Sequence, residues 1–318
     1  MSSITLVTAF FDIGRESFPG YERSAEQYMD YFRFWSRMRN RLVVYTSGDK
    51  ADAVREIRDG YGLADATSIV VVDDISTFDP EVFLRIGEVM KSPSFKEMRG
   101  GFDNPECNFP LYNYITYLKP FFVTDAIRRG LVSGKTAAWI DFGFNHGGRF
   151  YSDSLDFDFL WEYDFADKMH LFSMDDFDDM DVVDIVRSMK VYITGALMIG
   201  TPGRWFQCEK AFADAARHLL DLGLADDDQT MEIMAYRANP DMFQIRRVDY
   251  FPQPLSLVGG EHMKIASVRS RRYRRLKQEA RAAWTDGSYG RAMMAYLGYI
   301  CNKLTGKREC VPLTEIAK

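Results

Sequence analysis

The 318-residue sequence has no apolar run near the ~20 residues needed to cross a bilayer. Cysteine is scarce. Cys107, Cys208, Cys301 and Cys310 lie far apart and form no C-x-x-C pair. Neither a disulfide framework nor a zinc site follows from that spacing, and reduced thiols are expected. The opening MSSITLVTAFFDIGRE lacks the basic stretch and cleavage site of a signal peptide. A cytoplasmic protein is therefore expected. The four histidines (His146, His170, His218, His262) form no H-E-x-x-H, and G-x-S-x-G is absent, so a zincin helix and a hydrolase elbow are unsupported. Repeats, low-complexity blocks and flexible linkers are missing too.

What is present belongs to a folded chain: 47% hydrophobic and 27% charged residues, enough for a full core. The charge is uneven. Residues 262–318 hold 13 Lys or Arg against 4 Asp or Glu, so the remainder carries −15 of a net −6. A basic tail on an acidic body suggests a tail that meets anions.

Apolar β-rich runs at 4–11, 41–48 and 67–74 alternate with helical patterns at 20–38 and 51–62. Near-continuous apolar strands in this order predict a mostly parallel sheet covered by helices on both faces, with ligands at the strands' C-terminal ends. Helices are expected at 80–92 and 109–130, the second interrupted at Pro120. VYITGALMIGTPGRWF (191–206) reads as a strand followed by a Gly-rich turn. Helices at 207–223 and from 226, and a late strand at 245–252, follow. The expected division is a Rossmann-like domain over 1–264 and a basic helical extension over 265–318.

Two motifs fail on context. Asp141-Phe142-Gly143 matches the kinase tripeptide, but no G-x-G-x-x-G or H-R-D loop precedes it. GLVSGKT (130–136) has three residues between its glycines and precedes a strand, so it reads as a turn after a helix, not a P-loop. The Asp-rich 175–184 run lacks the Gly and Glu of an EF-hand and reads as a solvated loop.

The constellation that survives centres on Asp141, which ends the apolar run AAWID. Sugar-nucleotide transferases of the GT-A type place a metal-binding acid at such a strand end. There Mn²⁺ or Mg²⁺ stabilises the leaving nucleoside diphosphate. Gly143 stands where the second acid of an Asp-x-Asp pair would be. A metal set of Asp141 and His262 is therefore expected, with His146 near in sequence. TAFFDIGR puts Thr8, Phe10 and Arg15 at the crevice mouth as substrate contacts, Arg15 toward a phosphate. Lys119 and Lys264 are phosphate candidates, Lys264 with His262 on the loop GGEHMK. Gly195 and Trp205 would form an acceptor wall, with the indole stacking on a sugar. ADDDQ places Asp226, Asp227, Asp228 and Gln229 at a helix start. That is more acid than capping needs, so Asp227 and Asp228 are the catalytic candidates and Gln229 a substrate contact. RSRRYRRLK (269–277) fits anionic lipid at the inner membrane.

TAFFDIGR, YLKPFFV, WIDFG, TGALMIG and DDDQ occur in an order similar to the bacterial HtrL/YibB family, which includes WlaTC-like proteins. The resemblance runs from about residue 4 to about 262. It implies a GT-A-like fold and a glycosyltransferase of surface polysaccharide assembly, of the lipopolysaccharide or capsule kind. The implied partners are a nucleotide-diphosphate sugar donor and a glycan or glycolipid acceptor, without nucleic acid. The alternatives are a sugar nucleotidyltransferase, disfavoured by the lack of a Gly-rich basic loop after the first strand, and a non-catalytic glycan- or nucleotide-binding protein with a degenerate site.

Overall fold

The computed structural model describes residues 4–100, 102–249, 251, 253–265, 280, 283–284 and 287–305. Strands β1 (Ile4–Phe10), β2 (Leu42–Thr46) and β3 (Thr67–Val71) alternate with helices α1 (Ala25–Trp35) and α2 (Gly48–Asp59). Next come α3 (Pro80–Lys91), α4 (Pro110–Tyr117), α5 (Lys119–Arg128) and β4 (Thr136–Ile140). After these come β5 (Met169–Ser173), β6 (Leu197–Gly200), α6 (Pro202–Asp221), α7 (Asp228–Ala238) and β7 (Phe243–Arg247). Helix α8 (Tyr289–Thr305) lies in the basic tail. The 269–277 run lies outside the described residues.

The seven strands form one sheet in the order β3-β2-β1-β4-β6-β5-β7. All pairings are parallel except those of β6, which runs antiparallel to both β4 and β5. The expected mostly parallel sheet is thus present. Successive residues of β1 point to opposite faces: Leu6 joins the core that includes Phe32 and Trp35, and Val7 the core that includes Phe122 and Trp205. Two apolar layers sandwich the sheet, which is why its strands lack the polar alternation of a half-exposed sheet.

Local chemistry sets the element ends. Ser24 accepts a hydrogen bond from the Gln27 amide to cap α1, which buries Met29, Phe32 and Trp35 at helical spacing. Asp79 caps α3 just before Pro80. The expected break at Pro120 is real. Helix α4 ends at Tyr117, and a new helix starts with Lys119 and Pro120 in its first turn. Gly130 has φ 70° and closes α5, as expected for the turn into β4.

Two expectations are corrected, and one strand was not expected. The strand expected from residue 191 is regular only over Leu197–Gly200; before it Ile193 pairs with Ser173 in an isolated bridge, and Gly195 makes the close approach described below. Pro202 then starts a 20-residue helix where a turn was expected, so Trp205 is helical. Strand β5 went unread: its five residues, MHLFS, are too short for periodicity to show.

Candidate active site

The strand order reverses beside β1, which has β2 on one side and β4 on the other, both parallel to it. A crevice opens at the C-terminal ends of strands at such a switch point. A cavity of about 530 Å³ lies there, lined by the residues after β1, the loop after β4, α4, Gly195 and the start of α7. That volume is in the range of small-molecule sites.

Lys119 is the hub of one half. It is buried at the start of α5, and its ammonium donates to Asp228 Oδ2 at 2.7 Å and to the Gly195 carbonyl at 2.9 Å. Asp141 Oδ1 lies 3.0 Å from the same nitrogen and also accepts from the Trp139 indole at 2.8 Å. Burial works against the Lys119 charge, but Asp141 and Asp228 outweigh it and hold the amine's pKa above its ordinary value. Gly195 makes this meeting possible. A Cβ there would lie 1.8 Å from Asp228 Oδ2 and 3.0 Å from the Lys119 nitrogen.

The three acids before α7 divide their work. Asp226 is buried, ion-paired to the buried Arg99, and accepts the Thr230 hydroxyl at 2.7 Å. Asp227 is the N-cap, accepting the Gln229 amide at 3.1 Å, and it lines the cavity. Asp228 holds Lys119. The pKa of Asp227 is raised well above the carboxylate range by burial and then by the Asp228 charge. Burial also raises Asp228, with Lys119 opposing. One turn on, Glu232 is fully buried and neither carboxylate oxygen has a hydrogen-bond partner among the described residues. Burial, then the Asp228 charge, raises its pKa well above the ordinary value.

The other half is cationic. Arg15, Arg23 and Arg149 line the cavity, and none forms an ion pair among the described residues. The Arg15 guanidinium sits over the Tyr112 ring at 5.1 Å, and its buried Nε has no hydrogen-bond partner among the described residues. His146 lies in the field of all three. Burial, then Arg23 and Arg149, push its pKa down to about 4 despite Asp141, so the imidazole is neutral at pH 7. The loop that presents it is tightly built. Asn145 (φ 64°) and His146 (φ 45°) are left-handed, followed by Gly147 and Gly148 with positive φ. Asn145 fixes the turn by accepting from the amides of Phe150 and Tyr151. A Cβ on Gly148 would meet the Phe34 ring at 2.8 Å. Gly143 needs no unusual backbone (φ −83°), but a Cβ on it would press on Tyr28 at 3.2 Å. An acid there would crowd α1.

The cavity gathers Phe10, Arg15, Lys119, Asp141, Gly195, Asp227, Asp228 and Gln229. Phe10 stacks on Phe142 at 4.8 Å. Four expected residues lie elsewhere. Trp205 is fully buried in the core, its indole donating to the Ala137 carbonyl at 3.0 Å, so it is no acceptor wall. His262 bonds the Asp156 carbonyl at 2.8 Å and packs on Phe159, and the Lys264 amide donates to Asp156. Thr8 is buried inside β1 and does not line the cavity. The expected metal set is not assembled. His262 does not line the cavity, Lys119 stands between Asp141 and Asp228, and no group of three His, Cys, Asp or Glu among the described residues is arranged for a metal ion. These residues do not fit a protein-built Mn²⁺ or Mg²⁺ centre.

Sequence reading missed Arg23, Arg149, Tyr112 and Glu232. Glu232 had a signal, since it lies four residues after Asp228 on one helical face. Arg23 and Arg149 come from irregular segments and carried none.

A family model described as "Bacterial protein of unknown function (HtrL_YibB)" matches residues 2–254. The chain belongs to this family. Protein HtrL of Escherichia coli (strain K12) is 31% identical over 259 residues, covering 77% of this chain and 87% of HtrL. The crystal structure of mouse Xyloside xylosyltransferase 1, apo form, superposes with a TM-score of 0.38 at 9% identity, over 76% of this chain and 84% of that one. That similarity is too low to bear on function. The HtrL_YibB match ends at 254, so every residue lining the cavity, up to Phe251, falls within it, and α8 falls outside.

Proposed function

We propose that this HtrL_YibB protein is a GT-A-like glycosyltransferase. It moves a sugar from a nucleoside-diphosphate donor to a hydroxyl of a glycan or glycolipid acceptor in surface-polysaccharide assembly. The observation that carries the reading is the division of charge within one cavity. Arginines without an ion pair among the described residues lie around a neutral His146, and the buried Asp228 and half-buried Asp141 flank Lys119. A diphosphate suits the first half, because guanidinium groups bind phosphate oxygens bidentately. A hydroxyl about to lose its proton suits the second.

In this reading the acceptor oxygen forms a bond to the anomeric carbon as the bond from that carbon to the diphosphate oxygen breaks. The hydroxyl proton passes to Asp227. A carboxylate whose pKa is raised is a stronger proton acceptor than an ordinary one. Arg15, Arg23 and Arg149 take up the charge that develops on the leaving diphosphate, inside a partly closed site where charge interactions are strong. Asp228 and Lys119 stay paired and hold the floor beneath Gly195.

Transfer assays with a panel of UDP- and GDP-sugars test this. With a donor that is turned over, Asp227→Asn is expected to lower turnover by about 10²–10⁴-fold, the range of general base catalysis. Donor binding should be little changed. Near wild-type turnover in Asp227→Asn would remove Asp227 from the chemistry.

A further inference from the structure

Helix α8 is packed inside out. Its buried positions among the described residues are alanines, Ala292 and Ala295, and the preceding Ala280 and Ala283 are buried as well. Over 289–300 most of its bulky apolar side chains point to solvent: Tyr289, Met293, Met294, Tyr296 and Leu297 are between 49% and 70% exposed, and Tyr299 and Ile300 are half-buried. Residues 289, 293, 296 and 297 recur at i, i+4, i+7 and i+8, so they form one stripe along the helix. A helix that only completes a fold turns such a stripe inward. Trp284, 66% exposed, stands just before it and packs its ring on Tyr289 at 5.2 Å.

The sequence around the stripe is mostly basic, with Asp286 between Trp284 and Tyr289. Tyr289–Thr305 contains Arg291 and Lys303 and no acid, and residues 262–318 carry the nine-charge positive surplus. An apolar stripe in a segment with a positive surplus fits an interface that is oily below and anionic above. That is the chemistry of an anionic phospholipid bilayer, on which such helices lie in the plane of the headgroups. No helix among the described residues is long and apolar enough to cross a membrane.

We propose that α8 and Trp284 dock the protein on anionic lipid bilayers, with Met293, Tyr296 and Leu297 entering the headgroup boundary. This stands apart from the chemistry of the cavity and holds whether or not the protein transfers a sugar.

The molecule carries its own reporter. Of its five tryptophans, Trp35, Trp139, Trp161 and Trp205 are buried, so only Trp284 is well placed to sense a bilayer. The full chain is mixed with vesicles of phosphatidylcholine alone or with about one-third phosphatidylglycerol, and flotation and tryptophan emission are recorded. The protein should float with the anionic vesicles, with a blue-shifted emission that Trp284→Phe removes. It should not float with neutral ones. High salt should weaken binding, because surface attraction to anionic lipid is screened. The double variant Met293→Glu, Leu297→Glu should bind at least about tenfold more weakly, since binding scales with apolar area entering the interface. Its melting temperature should match the wild type, because both side chains are exposed. Failure to float with anionic vesicles would overturn the proposal, as would wild-type binding by the double variant. A dimer that the double variant dissolves, without vesicle binding, would assign the stripe to a second copy of the chain instead.

Discussion

Removing the Lys119 ammonium by Lys119→Met should cost about 3–5 kcal/mol at pH 8, the range for breaking one side of a buried ion pair. The structure gives the reason. One nitrogen serves Asp228 at 2.7 Å, Asp141 at 3.0 Å and the Gly195 carbonyl at 2.9 Å, and Glu232 lies behind them with no partner among the described residues. Methionine fills the space but leaves those acids without a cation. The loss must depend on pH, and its sign is fixed. The Lys119 pKa is raised, so its contribution is fully present below the ordinary lysine value and persists at pH 8. On the acid side, Asp228 and Glu232, which Lys119 holds down, take up protons more readily in the variant than in the wild type. The folded variant therefore gains protons, and the stability gap should narrow as pH falls from 8 to 5. Urea unfolding at both pH values measures this. Lys119→Met, Asp228→Asn should be more stable than Lys119→Met alone at pH 8. A Lys119→Met gap below about 1 kcal/mol at pH 8, or one that does not change with pH, would refute the reasoning.

Three further outcomes are expected. Glu232→Gln should raise stability most at alkaline pH. The folded pKa of Glu232 is raised, so its contribution is present below the ordinary carboxylate range and is lost as pH rises through the folded value. The gain over wild type, read by thermal melts, should grow from pH 5 to pH 8 and reach about 2 °C or more. Gly195→Ala should separate Lys119 from Asp228, because the new methyl would sit 1.8 Å from the carboxylate oxygen, and turnover should fall together with stability. His146 should stay neutral until pH approaches 4 in an NMR titration of its ring. A depressed histidine contributes stability above its ordinary pKa of 6.5 and loses it as pH falls toward 4, so His146→Gln should blunt acid unfolding between those values.

Much of the fold was legible because its strands are buried on both faces and its helices carry apolar spacing and caps. The break at Pro120 and the turn at Gly130 followed from backbone chemistry alone. The reversed strand β6 did not, because direction within a sheet leaves no mark on four apolar residues. In the site, Asp141, Lys119 and the acids before α7 were visible as acids and a lysine at element ends. Their roles were not, because a role depends on which partner arrives from far along the chain. Lys119 meets Asp228 across 109 positions, and that contact turned an expected phosphate ligand into the partner of two carboxylates. Trp205 misled for a related reason: a tryptophan after a glycine-rich stretch reads as a sugar platform, but Pro202 had already begun a helix whose inner face it occupies. His262 looked like a ligand on a glycine loop, and its ring is spent on Asp156 and Phe159.

The central claim is that the cavity takes a nucleoside-diphosphate sugar, and calorimetric titration of the full chain with UDP-, GDP- and CMP-sugars tests it most directly. At least one diphosphate donor should bind with a Kd between about 1 μM and 1 mM, the usual range for enzyme substrates. Binding should weaken on Arg15→Ala. The monophosphate CMP-sugars should bind more weakly than that donor. Absence of binding by every donor, with and without Mn²⁺, would contradict the account.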